Sequence, residues 1–168
     1  NQADADTNMN ALVGPYTNQT AYDLETIFVR IENNDSTACF DTSTSFDFDV
    51  FDQPTANPVT DYELCDDAAD GDDTNGLATF DLSTLDTEVL GGQDNMQFNI
   101  TYYANQADAN DSMNVLPTNY VNTTAGGNTI AGGDPIIARI ENVDNPNCFD
   151  TIEIDVVVNP LPVMTTPV

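Results

Sequence analysis

The sequence predicts an all-β fold: tandem Ig-like antiparallel β-sandwich repeats joined by proline-containing links. Three observations predict it. Short segments alternate apolar and polar residues with the period of a strand that buries one face and wets the other. Asn, Asp, Gly and Pro cluster between those segments, where turns need residues that accept unusual backbone angles or end a ladder. Finally, blocks of sequence occur twice. Asn1-Gln-Ala-Asp-Ala-Asp-Thr-Asn-Met-Asn-Ala-Leu12 returns from Asn105 to Leu116, Ile27-Phe-Val-Arg-Ile-Glu-Asn33 returns from Ile136 to Asn142, and Cys39-Phe-Asp-Thr42 returns from Cys148 to Thr151.

The offset between copies is 104 residues at the first block, 109 at the next two and 106 at Val50 and Val156. Small insertions therefore fall between the blocks, as in duplicated domains whose loops have drifted. A period of this length suits beads on a string better than a solenoid. The repeat divides the chain into residues 1–59, the C-terminal half of one repeat; residues 60–160, one complete Ig-like repeat; and residues 161–168, a linker and the start of the next.

In chain order, the Gln-Ala-Asp-Ala stretch of each copy reads as a turn that caps a strand end. Phe46-Asp-Phe-Asp-Val50 alternates strictly, as does its counterpart Ile152-Glu-Ile-Asp-Val156. Tyr62-Glu-Leu-Cys65 and Leu77-Ala-Thr-Phe-Asp-Leu82 are shorter strands, with Tyr120-Val121 and Thr129-Ile130 shorter still. The single expected helix runs from Ser83 to Leu90, capped by Ser83 and stopped by Gly91-Gly92. Phe98, Ile100 and Tyr102 alternate with Asn99, Thr101 and Tyr103, and Ile136, Ala138 and Ile140 with Ile137, Arg139 and Glu141. Proline marks the boundaries, in Gln53-Pro-Thr-Ala-Asn-Pro-Val59 and in Asn159-Pro-Leu-Pro-Val163 with Pro167. Such links are short and semi-rigid, because proline cannot join a ladder and stiffens the chain.

The charge balance is extreme, with 29 acids against Arg30 and Arg139 and neither Lys nor His. That surface repels nucleic acid and anionic membranes, and repels itself unless cations screen or bind it. Asp outnumbers Glu by 23 to 6, which favours turns and oxygen-ligand metal sites over helices. Apolar residues make up 40% of the chain, enough for a core, so acidity does not imply disorder. No run is long or apolar enough to span a bilayer. Without His there is no usual base near neutral pH, and neither a nucleophile elbow nor a phosphate loop occurs, so no enzymatic role is expected.

The three cysteines follow the repeat frame. Cys39 and Cys148 share one position, and Cys65 lies near the start of residues 60–160. The expectation is a Cys65–Cys148 disulfide, with Cys39 paired to a residue upstream of Asn1; the alternative is three buried free thiols. The 83-residue separation exceeds the usual immunoglobulin spacing and there is no Trp, so the likeness is one of architecture.

Tyr62-Glu-Leu-Cys-Asp-Asp, Leu77-Ala-Thr-Phe-Asp-Leu82, Ile100-Thr-Tyr-Tyr103, Gln106-Ala-Asp-Ala109, Ala138-Arg-Ile-Glu-Asn142, Cys148-Phe-Asp-Thr151 and Val158-Asn-Pro-Leu-Pro162 come in this order. The set resembles the repeats of very large Bacteroidota cell-surface proteins exported by the type IX secretion system, often called gliding-motility-associated or adhesin-like. The resemblance covers residues 60–160 and, in its second half, residues 1–59. It implies an extracellular β-sandwich array on the bacterial surface that projects from the cell or forms a fibre. It also implies O-glycans at Asp-Ser/Thr followed by an apolar residue or Thr, a pattern met at Ser36, Ser112 and Thr151.

Candidate sites follow from residue type. Calcium takes six to eight oxygen ligands, and Asp66, Asp67, Asp70 and Asp72 around Gly71, with Asp81 near enough to join, could supply several. The loop is no EF-hand, since Ala68 and Leu77 stand at the third and twelfth positions; a solvated acidic turn is the alternative. Arg30 and Arg139 each precede a Glu by two residues and read as an inter-domain docking point or as a cross-strand salt bridge. Tyr103 and Tyr120 are candidates for an exposed sugar platform, with Tyr102 in the core. The function expected is a structural and adhesive repeat of a surface stalk or filament, disulfide-stapled and calcium-stabilised, partnered by neighbouring repeats or identical chains. A glycan-binding module of a secreted multidomain protein is the rival.

Overall fold

The computed structural model describes residues 1–68, 71–125 and 135–162. It divides into two compact units, Asn1–Asp52 and Gln53–Val168. The boundary precedes the proline stretch because residues of that stretch bond to the larger unit: Asn57 N–H donates to the Val89 carbonyl at 3.1 Å.

The larger unit is built from short strands, as the alternation requires. β5 (Tyr62–Cys65), β6 (Thr79–Asp81), β7 (Phe98–Tyr103), β8 (Asn119–Val121), β9 (Ile136–Asn142), β10 (Phe149–Ile154) and β11 (Val156–Asn159) form three sheets, ordered β10-β9-β7, β11-β5 and β6-β8. All pairings are antiparallel except β11 with β5, which is parallel with Val156 opposite Tyr62 and Asn159 opposite Cys65. A parallel pair needs a long connection; here it is nearly the whole unit. The expected strand at Thr129-Ile130 lies outside the described residues.

The core collects the apolar faces of these strands. Phe80, Leu82, Val89, Ile136, Ile140 and Val156 are fully enclosed, each stabilising the fold by about 1.5–3 kcal/mol on burial. Tyr62 meets Phe80 edge-on, with centroids 5.0 Å apart. β9 departs from the expected alternation, since Ile137 and Arg139 are buried like their neighbours. Its second face is covered by α3 (Gln106–Asp111), where Tyr103, Ala109 and Ile137 form a separate small cluster.

The expected helix is present in two parts, a 3-10 turn at Leu82–Leu85 and α2 (Asp86–Leu90). Leu82, Leu85 and Val89, spaced three and four apart, face the core. Asp81 caps the turn in place of Ser83 and accepts from the Ser83 N–H at 3.2 Å. Two further helices replace the expected turns: α1 (Gln2–Thr7) and α3. In each, Asn1 or Asn105 caps the N-terminus and bonds reciprocally with Asp4 or Asp108, a short version of the capping box.

The smaller unit repeats the second half of the larger one. Its strands are β1 (Glu25–Phe28), β2 (Ile31–Asn33), β3 (Ser36–Asp41) and β4 (Ser45–Phe48). Glu32 lies opposite Phe40 as Glu141 lies opposite Phe149. Beyond that point the smaller unit carries additional residues between Thr42 and Phe46. One continuous ladder becomes two, and Phe46 falls opposite Ile27 where Ile152 falls opposite Ala138. The shift is two residues, so side chains keep their faces. No residue of the smaller unit is fully buried, and Phe46 and Phe48 are exposed where their counterparts Ile152 and Ile154 are half-buried and buried.

Candidate functional site

The larger unit has two ends, and strand register fixes what stands at each. At the entry end the linker arrives. Gln53 Nε2 donates to the Phe149 carbonyl at 3.5 Å, Ala56 N–H to the Asp150 carboxylate at 2.9 Å, and Thr55 N–H to the Gln93 side chain at 2.9 Å. Cys148 is here, half-buried, its carbonyl accepting from the Asn142 N–H at 3.0 Å. Met96, 81% exposed, and Val143, 50% exposed, leave apolar surface at the same end. At the exit end Cys65 closes β5 opposite Asn159, exposed, and the next N–H, of Asp66, donates to the Asn159 carbonyl at 2.8 Å.

Ten residues, all but Asp155 in β10 and β11, separate Cys148 from Asn159. At about 3.3 Å per strand residue they cover on the order of 30 Å, whereas a disulfide joins Cα atoms about 4.4–6.8 Å apart. The expected Cys65–Cys148 bridge is therefore corrected: Cys39, Cys65 and Cys148 are free thiols. The parallel pairing is the cause, because it carries the end of β5 to the end of β11, away from the start of β10. The alternative of buried thiols fails too, since Cys39 and Cys65 are exposed.

The acidic loop follows Cys65 at the exit end. Asp66 is 2% exposed, its Oδ2 accepting from the Gly76 N–H at 2.7 Å while Oδ1 has no partner. Buried Asn122 ties the loop to β8, donating to the Gly76 carbonyl at 3.0 Å and accepting from the Ala78 N–H at 2.8 Å. Asp67 and Asp72 are exposed, and Asp72 accepts from Thr74. Asp70 lies outside the described residues. Asp81, exposed at the end of β6, caps the turn, and Ser83 Oγ donates to its Oδ1 at 2.6 Å. Among the described residues no three acidic or cysteine side chains gather as a metal-binding group. Among the described residues, what fits a hard cation is one buried carboxylate with a spare oxygen, that of Asp66.

Arg139 and Arg30 hold the same internal clasp in both copies, each bonded to residues of its own unit. Arg139 is 3% exposed. Its Nε donates to Glu141 at 2.8 Å, Nη1 to the Ala109 carbonyl at 2.8 Å, and Nη2 to the Pro146 carbonyl, while the guanidinium lies 3.6 Å over the Phe149 ring. Arg30 matches it through Glu32 at 2.8 Å, Ala5 at 2.9 Å, Thr37 at 3.1 Å and Phe40 at 3.8 Å. Each ion pair joins residues two apart in the chain, not partners on facing strands. Each guanidinium meets carbonyls at a helix C-terminus, where positive charge is favoured. Hydrogen bonds from Thr42 and then Gln2 hold the Asp6 carboxyl below its ordinary range.

Tyr103 and Tyr120 are buried beside Tyr102, which corrects their expected exposure. Ser36 is exposed at the start of β3, whereas Ser112 shares a 3.1 Å hydrogen bond with Tyr103 and the half-buried Thr151 accepts from Gln106 at 3.1 Å. Of the three candidate glycosylation positions, Ser36 alone is open without loss of such a contact. Sequence reasoning missed the roles of Gln53 and Asn159. The signal was there in the recurrence of Gln53-Pro54 as Asn159-Pro160 at the Val50–Val156 offset.

No curated protein and no solved structure matches the chain. A family model does match, twice: that of the Flavobacterium inter-domain disulphide bond domain, over residues 1–54 and again over residues 61–162. The two matches follow the two units, and the family's description agrees with cysteines that stand apart at the ends of a unit. The chain belongs to the Flavobacterium inter-domain disulphide bond domain family.

Proposed function

We propose that this chain is a structural repeat of a long extracellular surface protein, exported by the type IX route, in which Ig-like beads carry load and disulfides tie neighbouring beads together. The observation that supports it best is the placement of Cys148 and Cys65 at opposite ends of one unit, where each can reach a neighbour and neither can reach the other. Proline at both junctions stiffens the string, and the high negative charge keeps strings apart. The rival glycan platform draws no support from tyrosines that are buried. Pulling the full-length protein between its ends tests the reading: a reductant should lengthen the extension released as beads unfold. Equal extension with and without reductant would refute it.

We propose calcium at the exit-end loop, with Asp66 as its anchor. A buried carboxylate with one neutral hydrogen bond and an idle oxygen is costly unless a cation or proton meets it. Both arginines are committed elsewhere. Calcium would supply the positive charge there, with loop carbonyl or amide oxygens and water completing its shell.

A further inference from the structure

The two ends of the larger unit bear on which thiols would pair between units. The inference rests on the proposed disulfide-tied string and specifies its bonds. Asn159 and Gln53 are the same repeat position, each followed by proline. At the exit end, Asn159 is the strand partner of Cys65. At the entry end, Gln53 donates to the carbonyl of Phe149, the residue after Cys148. Within the larger unit, this repeat position is therefore paired with Cys65 at the exit end and hydrogen-bonded to the residue after Cys148 at the entry end. We infer that each Cys65-type thiol bonds to the Cys148-type thiol of the following unit, so that every junction is crossed by both the polypeptide and a disulfide.

The chemistry is an ordinary two-electron oxidation. Two thiols lose two protons and two electrons, the S–S bond forms, and the electrons reduce the disulfide of a thiol oxidoreductase to a dithiol. Access fits: Cys65 is exposed and Cys148 half-buried, at the end where Met96 and Val143 are also exposed.

The rule has a mechanical consequence. Cys65 and Cys148 of one unit then bond to different neighbours, so successive covalent loops overlap. The stretch from one Cys148-type residue to the next Cys65-type residue, 26 residues from Cys39 to Cys65, is all that such a shortcut leaves free for every two units. A cut in one proline link would leave the string joined.

The rival pairing, Cys148 type to the Cys65 type of the next unit, would bond Cys39 to Cys65 within this chain. The two rules are therefore separated by oxidising the 168-residue chain with glutathione disulfide, digesting it unreduced at Asp, and reading linked peptides by mass spectrometry. No Cys39–Cys65 link is expected, and one would overturn the rule while sparing the disulfide-tied string. The same digest of the native full-length protein should show the Cys65 peptide linked to a Cys148-type peptide of the next repeat. Inter-domain links of any other register would overturn the rule alone; free thiols throughout the native protein would sink both. As a check on proximity, Gln53→Cys should form a bond to Cys148 inside this chain, and failure to do so would also count against the rule.

Discussion

Replacing Arg139 by methionine removes a buried cation but keeps most of its apolar length, so it isolates the worth of the clasp. The guanidinium bonds Glu141 along β9, the Ala109 carbonyl at the end of α3 and the Pro146 carbonyl in the β9–β10 turn, and it stacks on Phe149. Without it, Glu141, whose side chain is 14% exposed, keeps a poorly solvated charge, and the Ala109 and Pro146 carbonyls each lose a charged donor. Breaking one side of a buried pair costs about 3–5 kcal/mol, a large share of the about 5–15 kcal/mol that holds a domain together. Urea titration followed by tyrosine fluorescence and circular dichroism should show the midpoint falling with little change in slope. Lysine in the same place should recover less than half, because one ammonium cannot reproduce the fork. The matching change at Arg30, where the pair is 12% and 30% exposed, should cost about 1–2 kcal/mol, in keeping with weaker pairs near water. A loss below about 1 kcal/mol for Arg139→Met would refute the view that this residue joins helix, strand and turn.

Tyr102→Phe should cost about 1–2 kcal/mol at pH 7 and less at pH 3.5, read from urea titrations at both values. Burial raises the Asp86 pKa, and the 2.8 Å hydrogen bond from Tyr102 opposes that rise. Since the folded value lies above the unfolded one, Asp86 favours the fold when protonated, and that contribution is lost as pH climbs through the folded value. Removing the hydroxyl raises it further, so the penalty grows with pH; a pH-independent loss would contradict this. Gly91→Ala should lower the melting temperature by several degrees, on the order of 1–2 kcal/mol, because φ is +59° and a Cβ would strike the Asn57 amide. A neutral result there would show that the linker contact yields freely. Calcium should raise the melting temperature of the chelator-treated protein but not that of Asp66→Asn, which retains a group able to accept from Gly76; equal shifts in both would place the cation elsewhere.

Much of the fold was legible because its signals are local. Phe98 to Tyr103 and Ile136 to Asn142 became strands within a residue of their alternating runs, and Asp81 to Gly91 became the one helical segment expected in the larger unit. The missed helices α1 and α3 are six residues each, too short for an apolar stripe, and their only signal was Asn followed three residues later by Asp. The candidate sites were less legible. Five acids within a short stretch look like one cluster on paper, yet Asp81 lies in a strand and turns its carboxylate to its own cap. Arg30 and Arg139 read as docking points or cross-strand pairs because nothing local shows that a helix end 25 to 30 residues upstream folds onto them.

By itself the sequence determined the β class, the duplication, the turns and the position of each cysteine in the repeat, since these depend on residue order over short spans. Only the tertiary structure decided that two cysteines of one bead face opposite ways. That outcome depends on β5 joining β11 in parallel across nearly the whole unit. Long-range strand pairing is chosen by the packing of the entire core, not by any property of the four residues from Tyr62 to Cys65.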